Sequence, residues 1–382
     1  MGGHLVARPS QMKTARPSAI VVNAAIVGQR PTGLGVYAVQ VIRALAALGE
    51  RLVVFTSRPD LVAVPGVETR PAPAGLSPEH GALGHARRLV WIQTAFRLRA
   101  RRERPRAILN LMPEGILAPA VPQATVVHDL LPLRYPAEYP RQQHYFRRYV
   151  PLVLRHSRAV IAISESTRRD VLAFYPRTPP GRVHVAISGY DRALFQPGAA
   201  APAAPPYALY LGNVMPHKNL ERMVDAFAAA TQGTAARLVL RGSGRPRHVE
   251  VLRARIAALG IAARVDWERY AEAEALPELY RRARMLLLPS LYEGFGLTAL
   301  EAMACGTAVL TSNVSSLPEV VGDAAVLVDP LSTDAIAAGM ARLFRDDTLV
   351  EDLRARGLAR AKLFAWETTG RSVQGAVREA LR

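Results

Sequence analysis

Short runs of apolar and β-branched residues alternate with longer stretches of helical periodicity, and the alternation occurs twice, on either side of a break rich in proline and alanine. The first run, Ala19–Val27, leads into Gly28–Gly35 and then into Val36–Leu48, where Tyr37, Val41, Leu45 and Leu48 share one side. Arg51–Thr56 is short and β-branched again. A strand–loop–helix–strand unit of this kind calls for a parallel sheet, since parallel neighbours need a crossover long enough to hold a helix. Further strands are predicted at Ala107–Leu111, Ala124–Val127 and Ala159–Ile163, with helices near Arg141–Leu154 and from Glu165 to Tyr175, the latter capped by Ser164. The stretch 196–206, QPGAAAPAAPP, cannot build a core and reads as a linker. Beyond it the spacing predicts strands at Tyr207–Leu211, Arg237–Leu240, Arg264–Trp267 and Met285–Pro289. Helices fall between them at Leu220–Ala230, Arg247–Leu259 and Leu276–Arg282, and the alternation continues to about Asp329 before closing in helices. The expected class is α/β, with domains at 18–195 and 207–367 and a polar, disordered lead-in at 1–17 that lacks the apolar core of a signal peptide.

Composition narrows the possible functions. Half of the 382 residues are hydrophobic, which excludes wholesale disorder, and a single cysteine, Cys305, excludes a disulfide framework or a cysteine-built zinc site. No apolar run approaches 18 residues, so no spanning helix is expected. Net charge is +18, concentrated in residues 1–205, which hold 27 Lys/Arg against 11 Asp/Glu. That surplus calls for an anionic partner. Aromatics are only 6% of the chain and no base-reading motif is present, which argues against nucleic acid. Residues Arg87–Arg106 hold eight arginines beside Leu89, Trp91, Ile92, Ala95, Phe96 and Leu98 at helical spacing. Such a basic amphipathic helix suits an anionic membrane surface, or equally a core-facing helix with a solvated arginine face.

Three loops carry chemistry. Gly33-Leu34-Gly35-Val36-Tyr37-Ala38 spells G-x-G-x-x-A after a strand, a turn that offers backbone amides to a phosphate. An NAD-type oxidoreductase would also need an acid ending the second strand, which instead ends Phe55-Thr56-Ser57-Arg58. The second loop, Leu211–Asn219, carries Lys218, one of only three lysines, beside a helix start where a diphosphate would meet both a point charge and amides. The third, Pro289–Glu301, sets Glu293 on a glycine-rich loop and Glu301 inside the next helix. The first is suited to a ligand hydroxyl, the second to vicinal hydroxyls such as those of a ribose. No D-x-D stands at a strand end, and Asp346-Asp347 reads as a helix cap, so no essential metal or other cofactor is expected.

Glu293 and Glu301, in EGFGLTALE followed by AMACGT, strongly resemble the E-x7-E element of retaining GT-B glycosyltransferases of family 4. Thr32–Tyr37, Val127-His128-Asp129, Ala162–Ser166, Tyr210–Leu220 and Asn313–Asp329 match further segments of that family in order. The resemblance implies two Rossmann-like domains facing across a cleft. The first takes a glycan or lipid-linked acceptor, the second a nucleotide-sugar, and residues 368–382 form a helix crossing back to the first domain. It implies that Lys218 holds the donor diphosphate, Glu301 the ribose and Glu293 the sugar hydroxyls. The amides of Gly294, Phe295, Gly296 and Leu297 would lie near phosphate and sugar, with Gly33 and Gly35 approaching from the opposite domain and His128 near the sugar and acceptor. Where many relatives carry an arginine after the strand glycine, Asn213 stands here, and Arg241 is the substitute expected at the donor site. Transfer would be retaining, by a front-face route. The Y-x-G-N-x-x-P-H-K-N spelling is similar to that of mannosyl transferring members, so GDP-mannose is the first expectation and a UDP-hexose the second. A non-catalytic nucleotide-sugar-binding relative is the alternative, and the expected location is cytoplasmic, peripheral at the inner membrane face.

Overall fold

In the computed structural model, which describes residues 18–29, 33–199 and 203–382, the chain forms two parallel sheets. The expected lead-in 1–17, Thr32 of the glycine loop and residues 200–202 of the linker lie outside the described residues. The first sheet contains β1 (Ile20–Asn23), β2 (Leu52–Thr56), β3 (Val67–Pro71), β4 (Ala107–Asn110), β5 (Gln123–Val127), β6 (Ala159–Ala162) and β7 (Val183–Val185), in the order β3-β2-β1-β4-β5-β6-β7. The second contains β8 (Tyr207–Leu211), β9 (Arg237–Arg241), β10 (Val265–Glu268), β11 (Met285–Leu288), β12 (Ala308–Ser312) and β13 (Val326–Val328), in the order β10-β9-β8-β11-β12-β13. Every pairing is parallel.

Apart from β9, whose end residues Arg237 and Arg241 are not fully buried, the inner strands are buried along their whole length, as sheets covered by helices on both faces require. β3 and β7 are edge strands that the apolar pattern does not announce. Val67–Pro71 is partly exposed throughout, and Val183–Val185 has only three residues. In each sheet the winding reverses once, between β1 and β4 and between β8 and β11. Crevices outside the strand C-termini at such reversals are where open α/β sheets take ligands.

One hydrophobic cluster runs through both domains, joining Tyr37 and Val41 to Phe295, Leu317, Phe364 and Trp366. The helix Trp366–Ala380 lies on the first domain. A Cβ on Gly370 would stand 2.7 Å from that of Ala44, Thr369 donates to the Ile187 carbonyl at 2.6 Å, and Gln374 donates to Glu50 at 2.8 Å.

The basic stretch 87–106 differs from a single amphipathic helix. The helices Gly81–Trp91 and Arg97–Arg102 are joined by a π-helical turn, Ile92–Phe96, which shifts the phase of the face. Trp91, Ile92, Phe96 and Ala100 enter the core against Phe55, Arg88 is buried on Glu114, and Val90 and Leu98 project outward.

Candidate active site

The lysine loop and the E-x7-E loop follow β8 and β11, neighbours at the reversal of the second sheet, so topology alone brings Lys218 and Glu293 together. Lys218 ends a 3-10 turn, Pro216–Lys218, which Asn219 closes in the left-handed conformation, φ 62°. Asn219 is buried, and its side-chain amide donates to the carbonyls of Pro289 at 2.9 Å and Pro330 at 2.7 Å, tying three loops into one wall. The Lys218 ammonium donates to both oxygens of Glu293, at 2.7 and 2.9 Å. Ser290 donates to the same carboxylate at 2.7 Å. Ser315 accepts from the Glu293 amide at 3.0 Å, and Ser316 donates to the carbonyls of Glu293 and Phe295 at 2.9 and 2.8 Å.

Gly296 then takes φ 103°, open to glycine, and starts the helix Leu297–Ala304 without a side-chain cap. Among the described residues no acceptor meets the amides of Gly294, Phe295, Gly296 or Leu297. These amides, with Lys218 held on the same loop's Glu293, are the donors the site can turn to an anion, an anion cradle. Glu301 lies one turn along this helix, accepts from Tyr280 at 2.8 Å, and is pushed up to about 7 by withdrawal from water, against the lowering effect of the Tyr280 hydrogen bond.

The first domain closes the opposite wall. A Cβ on Gly294 would come within 2.5 Å of the His128 carbonyl, so the donor-side loop touches the end of β5 directly. His128 is buried edge-on to Tyr37, ring centroids 4.8 Å apart. Its Nε2 stands 2.9 Å from the Leu111 carbonyl. A carbonyl only accepts, so Nε2 carries the proton and Nδ1 is an acceptor. Burial pushes the imidazole down to about 4, keeping it neutral near pH 7. Asp129 is pushed above the usual carboxylate range, first by loss of solvent and further by the Glu293 charge, opposed by the Leu131 amide and by Lys218. The sequence quotes Asp129 only as a companion of His128; its adjacency to that histidine was the available signal. Gly33 opens the helix Gly33–Ala47 on the surface and Gly35 is buried in its first turn.

Arg241 and Asn213 are the two further residues expected at the donor site. Arg241 lies opposite Glu268 in the β9–β10 register. Its guanidinium is taken up by Asp266 at 3.0 Å, Glu268 at 3.2 Å and the carbonyls of Leu240 and Asp266 at 3.1 and 3.2 Å. The pairing of strands, invisible in the sequence, gives its guanidinium these acidic partners. Asn213 is exposed on the loop after Gly212, and its carbonyl accepts from the Tyr210 hydroxyl at 2.8 Å. Asp346 caps the helix Asp347–Ala361 by accepting from the Leu349 amide, the role its sequence context suggests.

Two family models match the chain, Glycosyltransferase Family 4 over residues 31–194 and Glycosyl transferases group 1 over residues 191–360. The O-antigen chain mannosyltransferase B of Escherichia coli is 32% identical over 359 residues, covering 88% of this chain and 93% of that protein. The serotype-specific mannosyltransferase WbdA of the same organism is 28% identical over 271 residues, 67% of this chain and 33% of that longer one. Among solved structures, sucrose-phosphate synthase from Thermosynechococcus elongatus superposes with a TM-score of 0.77 at 22% identity, over 94% of this chain and 98% of that one. Anabaena HepE in complex with UDP and glucose gives 0.73 at 19% identity, over 94% and 99%. These two likenesses establish the same pair of facing Rossmann-like domains.

Proposed function

The chain belongs to the glycosyl transferases of group 1, with the GT-B fold, and within that family we propose that it moves a mannosyl residue from GDP-mannose to a glycan or lipid-linked acceptor with retention of configuration. The carrying observation is that Lys218 pairs with Glu293 on the loop whose amides at Gly294–Leu297 meet no acceptor among the described residues and whose Gly294 lies against His128. On this reading the diphosphate takes Lys218 and the amides, displacing Glu293, which turns to the sugar hydroxyls. The bond from C1 to the phosphate oxygen breaks, the acceptor oxygen bonds C1 from the same face, and the acceptor proton passes to the departing phosphate. Charge on the leaving group is met by the ammonium and the oriented amides, with no essential metal. Neutral His128 offers Nδ1 as an acceptor for a substrate hydroxyl. The name of the Escherichia coli O-antigen chain relative favours mannose and a place in polysaccharide assembly.

The acceptor side also favours a membrane surface. Among the described residues no helix is long and apolar enough to cross a membrane. A recess of about 390 Å³ lies at the N-terminal ends of β4 and β5, away from the cleft, with Leu98, Ile108, Ile116 and Val121 in its lining and Arg97, Arg101 and Arg104 beside them. None of these three arginines meets an acidic side chain among the described residues.

The test is incubation with GDP-mannose or UDP-glucose and a mannosyl oligosaccharide acceptor, EDTA present, with the product read by NMR. An α-linked mannoside is expected. A β-linked product or a strict metal requirement overturns the mechanism, and turnover of UDP-glucose alone overturns the donor.

A further inference from the structure

The donor loop is gripped from the other domain at two points that flank Glu293. On one side the Tyr292 hydroxyl donates to Asp170 at 2.7 Å, with the Arg134 guanidinium 5.0 Å over the Tyr292 ring and also paired to Asp170. On the other side the Ser164 hydroxyl donates to the Gly294 carbonyl at 2.7 Å, and the Thr167 hydroxyl stands 3.3 Å from the same oxygen. Ser164 does this while capping its own helix, accepting from the Thr167 amide at 3.0 Å. All three gripping residues, Ser164, Thr167 and Asp170, belong to one short element, the helix Glu165–Phe174 and its cap.

A third contact secures that element. Glu319, on the helix Leu317–Val321 of the second domain, reaches across and accepts from the free amides of Glu165 at 2.9 Å and Ser166 at 3.0 Å. A carboxylate on the unpaired amides at a helix start is a charge-assisted contact favoured by the helix dipole. Each of these contacts joins the first domain to the second.

We propose that the helix Glu165–Phe174 is a positioning element for transfer: closure, latched by Glu319, fixes the donor loop through Tyr292 and Gly294. The consequence for the site is geometric. In a trans peptide the N–H points opposite to the carbonyl. Holding the Gly294 carbonyl on Ser164 therefore directs the Phe295 amide away from the first domain's helix and fixes one wall of the anion cradle. Fixing the residues on both sides of Glu293 sets its carboxylate at the same time. Ser164, Asp170, Tyr292 and Glu319 act through the loop and need not touch the sugar. The inference rests on the reading of that loop as the donor site.

The experiment uses the full chain with Tyr292→Phe, which keeps the ring and leaves Asp170 paired to Arg134, and Glu319→Gln, which keeps the shape and removes the charge. Both variants are measured for thermal midpoint, GDP affinity by calorimetry, kcat and KM with GDP-mannose, and radius of gyration by X-ray scattering with GDP bound. Expected is a fall in kcat of about 5- to 30-fold, the size of one lost charged or buried hydrogen bond. The thermal midpoint should move little, GDP affinity should change less than about threefold, and Glu319→Gln should give a larger radius, since the domains part. Unchanged kcat in both variants overturns the inference. So does a fall in GDP affinity as large as the fall in kcat, which would mark a local defect of the second domain. A wild-type protein whose GDP affinity is indifferent to Lys218→Ala refutes the donor-site reading instead, so the two failures are distinguishable.

Discussion

Nucleotide binding should strengthen as pH rises through 7, and Glu301 is the reason. Its carboxyl is pushed up to about 7 because it is withdrawn from water with one hydroxyl partner, Tyr280. Two ribose hydroxyls would both donate to it, and that favours the ionised form. If binding requires the carboxylate, apparent affinity scales with its ionised fraction in the free protein. That fraction is about one half at pH 7 and about one tenth at pH 6, so affinity at pH 6 should lie roughly tenfold below its high-pH limit. Calorimetric titration of GDP between pH 5.5 and 8.5, in two buffers of different ionisation heat, counts the protons released: about half a proton at pH 7 and close to one at pH 6. The terminal phosphate also titrates near pH 6, so Glu301→Gln serves as reference, retaining the phosphate's contribution and losing the rest. In the free protein the sign is opposite. A carboxyl raised in the folded state contributes stability below its ordinary pKa that is lost as pH rises through 7. Affinity that is flat from pH 6 to 8, or a pH profile in Glu301→Gln as steep as that of the wild type, would refute the assignment.

The other expectations follow from the same geometry. Lys218→Ala removes the charged contact to the phosphates and should lower kcat/KM about 10- to 150-fold in steady-state assays. Glu293→Ala frees Lys218 from its partner, so bare GDP should bind at least as well as to the wild type while donor turnover collapses; an equal loss of GDP affinity would contradict the division of roles. Changing Arg97, Arg101 and Arg104 together to Gln should weaken co-sedimentation with anionic vesicles by on the order of 100-fold at low salt, at about 1 kcal/mol per basic side chain. Equal binding to neutral vesicles would make that face merely solvated.

Much of this was legible because it is local. The helices Leu220–Ala230 and Leu276–Arg282 begin and end where the apolar spacing puts them, and Ser164 caps its helix as its position suggests. The amides of the anion cradle are contiguous in sequence, so one motif records them, and Lys218 is recorded by a second motif. What was not legible depends on partners far along the chain. Arg241 is claimed by acids on β10, a fact of strand register. Arg88 leaves the solvated face because Glu114 waits in the core, 26 residues away. The π-helical turn breaks a periodicity that the residues alone support. In the sequence Glu319 falls only within the family-like run Asn313–Asp329, and the structure shows which amides it meets.

The helix Trp366–Ala380 has a consequence for the order in which the protein is made. It packs on the helix Gly33–Ala47, so the domain made earlier is covered by a segment translated only after the second sheet. Domains generally fold as they emerge. Here the amino-terminal one must wait, with Ala44 and the apolar surface around it uncovered, until the whole second domain has been synthesised. The interval is that of about 170 further residues, roughly 10 to 35 s at bacterial elongation rates. A stop codon just before Trp366 would leave both sheets intact and that surface permanently bare, so the 15 residues of this helix make the finished first domain depend on synthesis of the second.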